Sequence, residues 1–566
     1  MISDKKPVQD FIQLLDQHGI REIIICPGSR NAPFSISLAE DKRFNVHSIV
    51  DERSAGFIAL GMAQQFDHTV ALICTSGTAA LNFAPALAEA FYQRVPLLVV
   101  TADRPIEWID QGEGQSIRQR DVYRNYVKAS YEIAEEASEG DLVWFNVRII
   151  DEAMRLANEG VRGPVHINFP LREPLYKMSE DKRIPVKMIS RANARLRLVN
   201  DELNTLRSRI TSAQKIMVLA GQMQADGSIH EAVVSFGKRS NVAILTEAHS
   251  NLAGSGFVTT IDRLLAALDE ADKQYLQPDL LITVGHNIIS RKIKTLLRKS
   301  EAEHWHVDIS GEGLDTLKKL SKVIPVTPSD FFENMDSAEN SALSDYGNRV
   351  SQWNSLSREA AADFLKLAPW SDLRAFEIIH RELPAQSDVQ MGNSSAVRYV
   401  LLHDARPDLR YFGNRGVAGI DGCTSTAVGA VYASGRLTTL ISGDIAFFYD
   451  NNAFWNSIDK SHLKIIVINN GGGGIFRIID GPDHDSKALE TFFETAHERS
   501  ASGPANMYGI PFRATTDAET LAEGLQWLYS VEGCAILEVL TPRLENNHVL
   551  QQYFSTIAAT ARNKRH

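Results

Sequence analysis

Short, continuous apolar runs recur along the chain, and most of them end in a turn of small or polar residues. Ile23–Ile25 ends at Cys26-Pro27-Gly28-Ser29, Val70–Cys74 at Thr75-Ser76-Gly77-Thr78, and Leu97–Thr101 at Ala102-Asp103-Arg104-Pro105; Val165–Asn168 completes the group. Helical patterns lie between them. Strands that are apolar on both faces and alternate with helices predict βαβ units and a parallel sheet covered on both sides.

The pattern then recurs in two further blocks. Residues 176–200 are charged and irregular and read as a linker. Strands are expected at Ile216–Ala220, Ala243–Thr246, Leu280–Val284 and His306–Asp308, the first and third ending at Gly221 and Gly285. Residues 329–372 are polar and helix-prone and read as a second connector. A third block has expected strands at 388–391, 410–412, 438–441, 464–468 and 534–540. The fold class is therefore α/β, with three domains at 1–180, 195–345 and 370–566, each a mostly parallel sheet flanked by helices. The first and third blocks share one style of strand, glycine-containing turn and helix.

Composition narrows the function. The 566 residues carry 70 acidic and 59 basic side chains, a net charge of −11. That balance argues against broad, sequence-independent binding to nucleic acid, which needs a basic face, though not against local basic pockets. Cys26, Cys74, Cys423 and Cys534 lie too far apart for a CxxC zinc ribbon or a dense disulfide framework. No apolar run approaches a membrane span and the N-terminus has no signal-like core, so a cytoplasmic protein is expected.

The strongest chemical signal is in the third block. Thr438–Ser442 leads into Gly443-Asp444, and Lys464–Ile468 leads into Asn469-Asn470-Gly471-Gly472-Gly473-Gly474-Ile475-Phe476. Parallel strands point their ends to one rim, where ligands bind. Asp444 and Asn470 then offer a carboxylate and an amide oxygen side by side, and the glycines let a backbone carbonyl, that of Gly472, approach. A hard cation such as Mg²⁺ takes such oxygens and completes its shell from phosphates. Each motif alone is also an ordinary turn. There is no Walker lysine, and the middle block lacks a dinucleotide fingerprint, which disfavours a nucleotide-binding regulator.

A Gly-Asp…Asn-Asn pair so placed resembles the diphosphate motif of thiamine-diphosphate enzymes. Those enzymes also carry a glutamate at the start of a small-residue helix, as Val50-Asp51-Glu52-Arg53-Ser54-Ala55-Gly56 does here. Cys26-Pro27-Gly28-Ser29-Arg30, Thr75-Ser76-Gly77-Thr78-Ala79, Thr101-Ala102-Asp103-Arg104-Pro105, Gly392-Asn393-Ser394, Asn414-Arg415-Gly416 and Gly419-Ile420-Asp421-Gly422 are similar to one branch, the MenD family of menaquinone biosynthesis. Three departures stand out: Ile445 replaces the glycine after Gly-Asp, the middle-domain Lys-Arg pair appears reversed as Arg291-Lys292, and Gly114 replaces an asparagine before Gln115.

The resemblance implies a pyrimidine-binding and a diphosphate-binding domain of like fold around a Rossmann-like middle domain. It implies a transferase that uses thiamine diphosphate with Mg²⁺ or Mn²⁺. In the implied reaction 2-oxoglutarate is decarboxylated and the product is added to isochorismate. It also implies a homodimer or homotetramer with sites between subunits. Glu52 becomes the carboxylate facing the aminopyrimidine ring, against the alternative of a helix cap. Ile420 becomes the wedge between the cofactor rings, and Ile475 and Phe476 become apolar walls; all three could equally be plain core. Ser29, Gln115 and Ser394 are neutral donors, with Ser394 also near the cofactor. Arg30, Arg104, Arg291, Lys292, Arg398 and Arg415 become the cations that hold substrate carboxylates, since the guanidinium fork matches them. A pyruvate-type decarboxylase of the same superfamily, which needs fewer cations, is the alternative.

Overall fold

The computed structural model describes residues 1–66, 68–180, 184–192, 194–336, 344–478 and 486–563. Three six-stranded parallel sheets make up its framework. The runs read as strands form their centres: Val70–Cys74, Ile216–Ala220, Leu280–Val284 and Leu463–Asn469 are buried along their whole length. The fourth strand expected in the middle block runs over Glu303–Val307. Further strands at Asn45–Ser48, Ser130–Glu132, Phe257–Val258, Leu320–Ile324 and Phe512–Thr515 lie at sheet edges.

With strands numbered in chain order within each sheet, the first and third sheets both run 2-1-3-4-6-5, whereas the second runs 3-2-1-4-5-6. In the first and third sheets the chain leaves strand 1 in opposite directions, so a crevice opens between the ends of strands 1 and 3, the place where open α/β sheets bind ligands.

The first and third sheets are joined through the helices that follow their second strands, Glu52–Phe66 and Cys423–Ser434. The two helices cross at glycines. A Cβ on Gly61 would run into the carbonyl of Thr426, and one on Gly429 into that of Ile58. Only glycine permits that backbone approach. Phe57, Ile58, Val428, Leu440, Phe447 and Ile465 then share one core between the two sheets.

The segment 329–372 is more than a polar connector. Helix Pro328–Asp336 buries Phe331, Phe332 and Met335 against the second sheet. Helix Tyr346–Leu367 buries Tyr346, Val350 and Trp353 on the same unit and Ala360 and Ala361 on the third. Within the linker region, Met178–Ser179 pairs antiparallel with Ile2–Ser3.

Candidate active site

Thr438–Gly443 and Leu463–Asn469 are neighbours, with Gly443 opposite Ile468, so Asp444 and Asn470 emerge together at one rim. Both are buried. Asp444 accepts the N–H of Ile445 on Oδ1 at 2.7 Å and that of Gly472 on Oδ2 at 2.9 Å. His497 Nε2 lies 3.3 Å from Oδ2. His497 Nδ1 accepts the N–H of Arg499, which leaves the ring proton of the neutral imidazole on Nε2. Gly472 has φ +154°, and a Cβ there would press on the carbonyl of Glu494 at 2.8 Å. Its own carbonyl accepts the N–H of Gly474 and keeps a second lone pair. Asn470 donates Nδ2 to Asp372 at 3.0 Å, and among the described residues nothing donates to its Oδ1.

These donors fit a hard divalent cation. One carboxylate, one amide oxygen and one backbone carbonyl are all oxygen ligands, and too few to complete a shell without phosphate or water. The described residues hold no group of three or more His, Cys, Asp or Glu that would make a closed protein cage.

A cavity lies beyond the glycine turn. Arg477 and Ile478, from the helix after that turn, line it together with Arg291, Lys292 and Arg398. Arg291 and Lys292 thus share one cavity despite their reversed order, and Lys292 Nζ rests 3.6 Å from the Phe554 ring centroid. Arg398 follows Ser394 by one helical turn. Burial and the nearby Arg291 hold its pKa below the usual value. Arg415 is also buried; Nη1 donates to Asn393 Oδ1 at 2.8 Å, while Nε has no partner among the described residues. Burial and Arg398 lower its pKa as well. Cations that depress one another favour bound anions. Glu247, on the same cavity, accepts the N–H groups of Ile289 and Ser290 at 2.7 Å each and so fixes the turn that presents Arg291. Burial pushes its carboxyl up to about 7. Ile475 is buried past the glycine turn, and the Phe476 ring packs on Phe493 at 5.4 Å. Ile420 is half-buried in the turn after Arg415.

The second cluster belongs to the first sheet. Glu52 lines a cavity with Gly28, Ser76, Gly77, Asn82 and Gln115. It opens its helix, but the cap is Asp51, whose Oδ1 accepts the N–H groups of Arg53 and Ser54. Glu52 is therefore not needed as a cap. Burial, reinforced by Asp51, raises its pKa. Arg30 is buried, donates to the carbonyl of Leu171 at 3.0 Å, and has its pKa lowered by burial and by Arg104. Arg104 Nε donates to the carbonyl of Gly114 at 2.9 Å, a contact that any residue at 114 would supply. Ser29 is exposed beside Arg30. Gln115 and Ser394 hold left-handed φ values of 53° and 69°. Such strain in non-glycine residues costs about 1–3 kcal/mol and gathers at functional sites.

The candidates thus form two groups, and the cavity around Glu52 shares no residue with that around Arg398. Sequence reasoning missed Asp372, His497, Glu247 and Phe554, which come from distant segments and carry no motif of their own.

Residues 6–122 match the family model described as thiamine pyrophosphate enzyme, N-terminal TPP binding domain, and residues 391–539 the C-terminal TPP binding domain. The chain is 41% identical over 554 residues to the 2-succinyl-5-enolpyruvyl-6-hydroxy-3-cyclohexene-1-carboxylate synthase of Flavobacterium johnsoniae, covering 97% of this chain and 98% of the relative. It is 39% identical over 570 residues to the synthase of that name from Porphyromonas gingivalis, covering 98% of each. With that of Bacteroides thetaiotaomicron the identity is 35%, over 98% of this chain and 99% of the relative. The chain belongs to the 2-succinyl-5-enolpyruvyl-6-hydroxy-3-cyclohexene-1-carboxylate synthase family of thiamine-diphosphate enzymes.

Proposed function

We propose that this chain decarboxylates 2-oxoglutarate and adds the resulting four-carbon unit to isochorismate in a 1,4 fashion. The products are the family's succinyl-enolpyruvyl-hydroxycyclohexene carboxylate and CO₂, in menaquinone biosynthesis. The observation that carries this reading is the cavity beside the glycine turn, where Arg291, Lys292 and Arg398 converge with Arg477. A pyruvate-type site has no use for so many cations.

When bound, thiamine diphosphate supplies the carbanion chemistry that lets a 2-oxo acid lose CO₂. Asp444, Asn470 and the Gly472 carbonyl would hold Mg²⁺, or Mn²⁺, which would neutralise the diphosphate. Glu52 holds a proton at the aminopyrimidine ring nitrogen, a task suited to a carboxyl whose pKa burial has raised. Ile420 would support the bound cofactor's rings, Ile475 and Phe476 would wall the site, and Ser394 would contact the cofactor. Arg30, Arg104, Arg291, Lys292, Arg398 and Arg415 hold carboxylates, while Ser29 and Gln115 orient the reacting groups.

The active unit is at least a dimer. The cavity around Glu52 shares no lining residue with that around Arg398, which supports a full site that takes residues 1–180 from one protomer and 370–566 from its partner. A cytoplasmic location is part of this reading, supported by the four free cysteines. Among the described residues no helix is long and apolar enough to cross a membrane.

The test is incubation with 2-oxoglutarate, isochorismate, thiamine diphosphate and Mg²⁺, followed by mass analysis and CO₂ release. Pyruvate should be turned over roughly 10–150-fold less well for each charge-assisted contact it forgoes. Equal turnover of pyruvate would overturn the reading.

A further inference from the structure

We propose that Asp372 is the positioning residue that decides which end of the Asn470 amide faces the metal. The inference rests on the metal–diphosphate reading of the rim. Asp372 opens the helix Asp372–Glu382 and is buried. It is not the helix cap, because Ser371 accepts the N–H of Arg374. Both carboxylate oxygens are engaged: Oδ1 accepts the Thr541 hydroxyl at 2.5 Å, and Oδ2 accepts Asn470 Nδ2 at 3.0 Å. The backbone of Asp372 is pinned in turn, its N–H donating to Asn546 Oδ1 at 2.8 Å, and the Thr541 N–H donates to the carbonyl of Asn469 at 3.1 Å.

An asparagine ligand has a weakness that an aspartate ligand lacks. Its two ends are almost identical in shape, and only the oxygen binds a hard cation. A carboxylate accepts hydrogen bonds and donates none, so it tolerates the amide nitrogen and repels the amide oxygen. Asp372 therefore turns Asn470 Oδ1 outward, where no described residue donates to it. Thr541 matters for the same reason: it occupies Oδ1 of Asp372, which leaves Oδ2 for Asn470.

The experiment titrates Mn²⁺ into the full chain at saturating thiamine diphosphate, with free Mn²⁺ read by electron paramagnetic resonance. Unfolding of the metal-free proteins is followed alongside. Asp372→Ala should weaken Mn²⁺ binding by roughly 10–100-fold, the usual cost of losing a partner behind a ligand. Asn470→Asp alone should also weaken it, because two carboxylates then face each other at hydrogen-bonding distance. The double variant Asp372→Asn/Asn470→Asp restores the donor–acceptor pair in reverse and should recover binding to within about tenfold of the unaltered chain. That rescue separates positioning from a merely structural role, since two structural losses would add. Mn²⁺ binding untouched by Asp372→Ala, or no rescue in a folded double variant, overturns this inference alone. Failure of the unaltered chain to bind Mn²⁺ overturns the metal reading and this inference with it.

Discussion

The first and third sheets have the same strand order, yet the turn after strand 3 is Thr75-Ser76-Gly77 in one and Gly443-Asp444 in the other. The turn after strand 4 holds Arg104 in the first and Asn470 in the third. The turn after strand 2 leads to Glu52 in the first and to Arg415 and Ile420 in the third. Strand 1 leads to Ser29 and Arg30, or to Ser394 and Arg398. Four equivalent strand ends thus offer the same addresses, and the residues placed there divide the work. In the first sheet Glu52 lines a cavity with uncharged neighbours, beside the capping Asp51, and its raised pKa suits it to holding a ring and its proton. The third has oxygen ligands at strands 3 and 4, suited to a metal, with cations behind them. The scaffold sets where chemistry can happen, and the turns decide which chemistry it is.

The most damaging way to break this division is at the strand-3 turn of the third sheet. Asp444→Ala removes the one carboxylate in the ligand set, and we expect activity to fall below detection with weakened cofactor binding. The matching position in the first sheet carries no charge, so Ser76→Ala should be mild by comparison. Assay of both variants, with a cofactor titration, checks the contrast. Full activity in Asp444→Ala would remove the third sheet from the metal role.

Glu52→Gln tests the other half. The shape is kept but the ring nitrogen loses its acid partner, and we expect a rate loss of roughly 10²–10⁴-fold, the range of a positioned acid–base group. Stability should hardly change, because Asp51 caps the helix. Asp51→Ala should behave in the opposite way. Losing a cap costs about 1 kcal/mol, and Asn452 loses its 2.8 Å bond to Asp51 Oδ2. Thermal melts set beside initial rates distinguish the two. If Glu52→Gln melts lower while keeping its rate, the catalytic assignment goes.

A cross between those variants sharpens the comparison further. If the two halves of a site come from different protomers, mixing Asp444→Ala with Glu52→Gln under subunit exchange should return roughly a quarter of wild-type activity. Half the dimers are then mixed, and each carries one intact site. No recovery despite proven exchange would mean that each chain assembles its own site.

How much of this was legible in the sequence follows a physical rule. Val70–Cys74 and Leu463–Asn469 are central strands, covered on both faces, and a covered strand must be apolar throughout. The strands that escaped notice, such as Asn45–Ser48 and Phe512–Thr515, are edge strands with polar and partly exposed residues. The site shows the same split. Asp444 and Asn470 were visible because each ends an apolar run. Asp372, His497 and Glu247 reach the site region from elsewhere in the chain, and no local pattern announces a residue whose partner is chosen by the fold. The glycines at 61 and 429 were visible only as small residues in helices. Their purpose, a crossing between two sheets, needs both helices at once.

The smallest effect concerns how one half steadies the other. Glu89, in the helix Ala84–Gln93 of the first unit, is buried against the strand-2 turn of the third. Its Oε1 accepts the N–H of Gly416 at 2.6 Å, and its Oε2 accepts those of Val417 at 2.7 Å and Ala418 at 3.3 Å. That turn runs from Arg415 to Ile420 and passes through Ala418 at φ 67°, so a side chain of the first unit holds the third unit's strained loop. Glu89→Gln replaces one acceptor with an NH₂ group that faces backbone donors. A buried donor left unsatisfied costs about 1–3 kcal/mol. The loss should appear as a slightly lower melting temperature, faster amide exchange over 416–418, and a higher KM for whichever substrate Arg415 holds. Metal binding should be unaffected, since Asp444 and Asn470 sit on other strands. Glu89→Asp keeps the charge but shortens the reach, and should fall between the two. If Glu89→Gln left exchange at 416–418 unchanged while weakening the metal, the clamp would act on the diphosphate rim rather than on the cation turn. The division of labour between the two sheets would then have to be redrawn.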